Sequence, residues 1–531
     1  MQRYLLYYLV IFTIVTGFYF IYSYYQLSGN QFIYPIDDAY IHLSIAKNFG
    51  ESGFWSVNTG SFDSGSSSIL YTLLLGSLIK ILGDSIYYPM LLNIVAGYIT
   101  VYWIYRFFKD FYTEQELKLG LLLFLPTTLL YYMVILGMEQ TIHMMLSVIA
   151  VYFIKKNFDT NFEKSDFIKL LLTILFLGMI RFESMFFVFC LVLILLQDKK
   201  VREAFFIFLM GFLPIVVFGI ISINKGGFFF PNSVIIKGSY PEGNIFLSIW
   251  RIFEKGILFN VSFYKLFLFP IICIVIFLFD SNKRQGFKSS FRNNLILLLV
   301  FGTILLQSLF AVIKFRYENY LMIMLLLVLV PIAVDYLRRL KSNKKSINNI
   351  LFVYSFVGFC LIGVYRFAFA HPVLKNSSKN IEEQQVEMGK FLNQFYKGQK
   401  VVANDIGAIA YFGNVQLLDI VGLGSTDVAQ FYIKNKGLTD NDFNRRYHDF
   451  LSDYISKNNY KVAVIYPKWF PDNVPKDWIP VASWKIKNNL GTAQNRVVWY
   501  SFNKKDAEVL KGNLQQFRLN KNVTQYYYIY K

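Results

Sequence analysis

A chain of 531 residues that is 55% hydrophobic and 19% aromatic, with mean hydropathy +0.41, is too apolar for a soluble globule of that length. Its hydrophobic segments recur at near-regular intervals, so the class is a polytopic membrane protein carrying one soluble domain. Lys and Arg number 53 against 34 Asp and Glu, a net +19; the excess sits in short clusters beside hydrophobic segments, which fits the positive-inside pattern and not a nucleic-acid partner.

The first segment, 4–25, begins at the basic Arg3, is long and Tyr-rich, and lacks a small-x-small cleavage site. It reads as a retained span, not a removed signal peptide. A helix crossing the hydrocarbon needs about 20 apolar residues. Hydropathy places eleven such spans, at 4–25, 87–107, 118–136, 139–155, 168–182, 184–197, 204–223, 261–280, 293–312, 319–337 and 348–369. Cys190, Cys273 and Cys360 lie inside these runs and read as small buried apolar residues, not a disulfide framework or a metal site.

One further apolar run, 68–82, decides the topology. If it crosses, every later loop changes side. If it stays on the outer side as a re-entrant or interfacial helix, the cytoplasmic loops collect Arg106 and Lys109 with Lys118, Lys155 and Lys156 with Lys164 and Lys169, Lys199 to Arg202, Lys283 to Arg292, and Arg338 to Lys345. The positive-inside rule selects the second arrangement. It puts the N-terminus in the cytoplasm and gathers the remaining polar stretches on the outer face, where they suggest a shared cavity. From His371 onward hydropathy drops. Residues 378–397 read as an amphipathic helix, 401–403, 415–418, 462–466 and 496–500 as strands, and 427–459 as helical. The expected organisation is a transmembrane domain over 1–369 and an extracytoplasmic α/β domain over 370–531.

Asp37 and Asp38 sit just beyond the first span. Two adjacent carboxylates at a membrane surface repel one another, and a divalent cation such as Mg²⁺ or Mn²⁺, a Lys or Arg, or a role as general base would offset that cost. A helix cap would account for one Asp and leave the other unexplained. Glu139 could complete an acid cluster or favour a helix start through the macrodipole. Arg181 and Glu183 interrupt an apolar run of about 30 residues, longer than one span needs; they face either a cavity or each other. Lys237 follows Pro231-Asn232-Ser233 and could neutralise a phosphate or simply be solvated. Lys314 and Arg316, with Tyr317 and Tyr320, are basic residues on the side where few are expected. Arg316 is the favoured phosphate contact, and snorkelling is the alternative. His42 lies one helical turn from Asp38 and could join the site. The four histidines form no metal signature.

Asp37-Asp38-Ala39-Tyr40-Ile41, followed by Ala46-Lys47-Asn48 and a Gly/Ser-rich stretch before Leu70, resembles the first extracytoplasmic loop of GT-C fold glycosyltransferases. Among these, bacterial members using a polyprenyl-phosphate sugar are the most similar, such as terminal arabinofuranosyltransferases and mannosyltransferase-like families. Gly137-Met138-Glu139 resembles their Gly-x-Glu-Thr, with Gln140 in place of Thr. Arg181-Phe182-Glu183-Ser184 resembles Arg-Pro-Glu-Gly, with Phe for Pro and Ser for Gly. Pro231-Asn232-Ser233 with Lys237 resembles Pro-Asn-Thr followed by Lys, and Phe315-Arg316-Tyr317 matches an Arg-Tyr element. Asp405–Tyr411 and Leu418–Leu423 resemble parts of their soluble domain.

The resemblance implies a GT-C-like membrane enzyme of a bacterial plasma membrane that inverts configuration. It implies a sugar moved from a polyprenyl-phosphate donor to a glycan, lipid or protein acceptor. Asp37, Asp38 and Glu139 would be catalytic. Arg316, Lys237, Arg181, Tyr317, Asn232, Glu183 and His42 would bind substrate, with Asp37 and Asp38 as the site of any metal. A lipid-linked glycan transporter or polymerase-like protein is the alternative; it would show internal repeats, and none is visible.

Overall fold

The structure, a computed structural model, describes residues 2–25, 27, 31–238, 245–311, 313–342, 346–470 and 474–529. Seven helices are long and apolar enough to cross a membrane: Gln2–Tyr25, Tyr88–Phe111, Glu114–Leu136, Val201–Asn224, Val261–Gln285, Asn319–Lys341 and Ile347–Phe395. Phe287–Asn293 and Leu295–Phe310, bent by 82° at their junction, add an eighth if they form one span. The segments expected to cross at 139–155, 168–182 and 184–197 are also helical, as Gln140–Asp159, Lys164–Ile180 and Ser184–Gln197. They pack in the bundle but fall outside that set; the last two have only 17 and 14 residues.

The run at 68–82 does not cross. It forms the helix Ile69–Leu82, whose 14 residues span about 21 Å at 1.5 Å each, against about 30 Å of hydrocarbon. The Tyr34 hydroxyl, just past the first helix, donates to the Ile86 carbonyl at 2.6 Å and accepts from the Met90 N–H at 3.2 Å. The chain therefore leaves and re-enters the bundle at the same end. Between these points Asp38–Ser52 and Ile69–Leu82 pair closely, because a Cβ on Gly50 would come within 2.5 Å of the Gly76 carbonyl oxygen. The opposite end carries the basic clusters: Arg338 bonds Gln115, Thr113 and Glu116, Lys156 pairs with Asp166, and Lys118 pairs with Glu114.

The division expected at 369/370 falls inside one continuous helix. Ile347–Phe395 runs out of the bundle and becomes the first helix of the soluble domain. That domain holds a six-stranded sheet in the order β2-β1-β3-β5-β4-β6, formed by Lys400–Ala403 (β1), Gln416–Asp419 (β2), Val462–Ile465 (β3), Ile479–Lys485 (β4), Arg496–Ser501 (β5) and Thr524–Tyr527 (β6). β1, β2 and β3 pair in parallel and the rest antiparallel. Alternate residues supply two cores. Val401, Val464, Trp484 and Trp499 face one layer, and Val402, Leu418, Ile465 and Val498 the other, so the sheet is covered on both faces.

Candidate active site

A cavity of about 990 Å³ lies where the loops at one end of the bundle meet the soluble domain. Asp37, Asp38, His42, Arg181, Glu183, Arg316 and Tyr317 all line it, as do Lys314 and, from the soluble domain, Asp405 and Trp469. Residues separated by hundreds of positions thus share one hollow.

The two adjacent aspartates part company. Asp37 begins the helix Asp38–Ser52 yet makes no side-chain cap bond to it. Its carboxylate instead accepts the N–H groups of Gly407 (2.6 Å) and Ala408 (2.8 Å) across the domain junction. Glycine is required at 407, since a Cβ there would come 2.7 Å from Asp37 Oδ2. Burial pushes the Asp37 carboxyl up to about 6, while the Ala408 N–H, the Asp405 side chain and the Gly407 N–H pull it back. Burial, and then the charge of Asp37, drive the Asp405 carboxyl well above its ordinary range; Gln385 Nε2 donates to it at 2.8 Å.

Asp38 turns the other way and ion-pairs with Arg316. Asp37 and Asp38, expected to share any metal, are thus engaged by different partners, the Gly407 and Ala408 N–H groups and Arg316 respectively. Among the described residues no group of three or more His, Cys, Asp or Glu side chains could hold one.

Arg316 also donates to the Tyr317 hydroxyl at 3.0 Å. Its guanidinium lies 4.9 Å from the Tyr317 ring centre, and that of Arg181 lies 5.1 Å from the same ring. Arg181 is held by both Glu139 and Glu183, and donates to Ser67 Oγ at 3.2 Å. The mutual Arg181–Glu183 pairing weighed from the sequence is present, extended by a second acid. Glu139 is fully buried behind the cavity wall and reaches substrate space only through Arg181 and through His42, whose Nε2 is 3.2 Å from it. Lys314, by contrast, lines the cavity with no ion-pair partner among the described residues.

Asn232 is buried and pins its loop: its N–H donates to the Ser64 carbonyl at 2.9 Å and its amide to the Leu423 carbonyl at 3.4 Å. It does not line the cavity, though its neighbour Ser233 does. The Lys237 side chain lies outside the described residues.

Arg366 had no assigned role. Deep in the helix Ile347–Ile381, it donates to the carbonyls of Thr127 (3.0 Å) and Phe315 (3.4 Å), to Asn319 Oδ1 at 2.5 Å, and to Glu318 at 2.9 Å. It fixes the loop that carries Lys314, Arg316 and Tyr317. A lone arginine within the apolar run 348–369 was the available signal. Replacing Arg366 with Met strands the buried Glu318 and should cost about 3–5 kcal/mol of stability, read as a fall in thermal midpoint in detergent.

Removing the Asp37 carboxylate strands two buried N–H groups, so Asp37→Ala should cost about 1–3 kcal/mol at the domain junction. The pH dependence has a definite sign. The folded-state pKa of Asp37 is raised, so its favourable contribution is present in acid and lost as pH rises through about 6. The thermal midpoint should therefore fall between pH 5 and 7.5, with a shallower slope in Asp37→Asn.

This is an integral membrane protein of the GT-C fold, with a cavity roofed by its soluble domain. In sequence, residues 379–500 match a family described as a domain of unknown function, DUF8728. No curated protein matches the chain. In structure the chain is similar to ArnT from Cupriavidus metallidurans in the apo state, with TM-score 0.51 and 10% identity over 94% of this chain and 98% of that one. It is also similar to the same protein bound to undecaprenyl phosphate, with TM-score 0.52 and 9% identity over the same shares. A third likeness, to the Archaeoglobus fulgidus oligosaccharyltransferase in complex with Zn and sulfate, reaches TM-score 0.46 at 10% identity over 93% of this chain and 73% of that one. At such identities the fold is what is shared.

Proposed function

We propose that the protein is an inverting glycosyltransferase that moves a sugar from a polyprenyl-phosphate donor to a hydroxyl-bearing acceptor on the extracytoplasmic side. The observation that carries this reading is the convergence of Asp38, Arg316 and Lys314 in one cavity between the bundle and the soluble domain. The likeness to an ArnT bound to undecaprenyl phosphate supports a lipid phosphate as the donor's leaving group. The basic clusters at the opposite end support a cytoplasmic N-terminus and an outward-facing cavity in a bacterial plasma membrane.

The acceptor oxygen attacks the anomeric carbon as the carbon–oxygen bond to the lipid phosphate breaks. The bonding pair leaves with the phosphate, and Arg316 and Lys314 meet the charge that develops there. The hydroxyl proton passes to the Asp38 carboxylate, which Arg316 releases as it turns to the phosphate. Glu139 and Glu183 hold Arg181, His42 backs Glu139, and Arg181 positions the Tyr317 ring beside Arg316. Asp37 holds the soluble domain over the reaction. No step is routed through a metal.

Purified protein in nanodiscs, supplied with a polyprenyl-phosphate sugar and an envelope glycan, should release polyprenyl phosphate in step with glycosylated product. Movement of intact donor across the bilayer without cleavage would instead identify a transporter.

A further inference from the structure

The two walls of the cavity differ in chemistry. The bundle side supplies Lys314, Arg316 and Arg181 together with Asp37, Asp38 and Glu183, whereas the soluble domain supplies Asp405, Asp419 and Trp469 and no cation among the described residues. Trp469 is out of pattern for its domain: it is 49% exposed, while Trp478, Trp484 and Trp499 are buried at 4% or less. It ends the short turn Pro467–Trp469 directly after β3, and its N–H donates to the Tyr466 carbonyl at 3.1 Å.

That turn is anchored. Asn404 donates to the Tyr466 carbonyl and accepts the Tyr466 N–H, both at 3.0 Å, and the Tyr466 hydroxyl is fixed by Gln384 and Gln385. The ring is therefore presented on a rigid base, which lowers the entropy lost on binding. Ser377 of the long helix also lines the cavity, fully buried, and its hydroxyl has no partner among the described residues. The Asp405 carboxyl, driven well above its ordinary range by burial and by the charge of Asp37, lines the same wall.

An apolar ring face, an unpartnered hydroxyl and a carboxyl suit a ligand that is hydroxylated at its edges and apolar on its faces. Asp419 on the same wall repels phosphate. We infer that the soluble-domain wall built on Trp469, Ser377 and Asp405 is the acceptor subsite, and that it takes an uncharged glycan rather than a phosphorylated one. This rests on the glycosyl-transfer reading, and adds the class of acceptor and the residues that select it.

The test uses the full chain in nanodiscs of zwitterionic lipid. Its probes are defined neutral hexose and N-acetylhexosamine oligosaccharides and their phosphorylated counterparts. Binding is followed by tryptophan fluorescence and by retention on an immobilised glycan panel. Wild type is expected to bind a neutral oligosaccharide in preference to its phosphorylated form. Trp469→Ala should weaken that binding by at least about tenfold, Trp469→Phe should retain most of it, and Ser377→Ala should reduce it. A thermal midpoint equal to wild type shows that each variant is folded, and Ser377→Ala carries the test if Trp469→Ala is not, with unchanged binding then overturning the assignment. Binding only of phosphorylated glycans, binding indifferent to both Trp469 variants, or no neutral glycan bound by wild type would overturn the assignment. Cleavage of the donor by water, measured on wild type without glycan, reports separately on the transfer reading: its presence beside Trp469-independent binding rejects the subsite alone.

Discussion

Arg316→Ala is expected to lower kcat/KM for sugar transfer by about 10²–10³, the range found when one preorganised charge-stabilising donor is removed. The loss should fall mainly on kcat, because the charge that Arg316 meets is largest as the bond to the leaving phosphate breaks. Arg316 is suited to this. Tyr317 fixes the guanidinium by a hydrogen bond and beneath its face, and the resting partner is a single carboxylate, Asp38. Arg316→Lys should recover only part of the rate, since an ammonium provides charge without the planar fork. Arg181 differs in kind. With Glu139 and Glu183 already bound to it, substitution should disturb the wall and the Tyr317 ring, and lower the thermal midpoint as well as the rate.

Asp38→Asn is expected to reduce kcat by about 10²–10⁴, the usual contribution of a positioned proton acceptor, while leaving the thermal midpoint close to wild type. The amide keeps the shape and an oxygen for Arg316 but takes up no proton. Asp37→Asn should invert that profile. Its oxygens serve backbone N–H groups of the soluble domain, so the first effect is on stability and domain docking. Measuring kcat and thermal midpoint on both variants separates the neighbours, which their adjacency in sequence does not.

Much of the scaffold is legible in the sequence because hydrocarbon imposes long apolar runs and a charge asymmetry. The non-crossing of 68–82 followed from the basic loops, with its short length and Ser-rich start in agreement, and the Tyr34 bridge to Ile86 and Met90 fits it. In the soluble domain, β1, β2, β3 and β5 announce themselves as apolar strands. β4 does not, because Pro480 sits at its start beside a bulge, and β6 is a short, largely exposed edge with no buried stripe. The gathering of Asp38, Arg316 and Arg181 was readable from their common sidedness. The partition of roles was not. Nothing local shows that Asp37 reaches Gly407, that Glu139 lies behind Arg181, or that Arg366 fastens the Arg316 loop, since each depends on a contact between distant segments.

The most direct measurement is a cryo-EM map of the protein in nanodiscs with bound polyprenyl phosphate. The phosphate should lie within about 3 Å hydrogen-bonding reach of the Arg316 guanidinium, beside Lys314 and under the soluble domain, with Asp38 freed from its ion pair. A phosphate seated elsewhere, with Arg316 still closed on Asp38, would contradict the account.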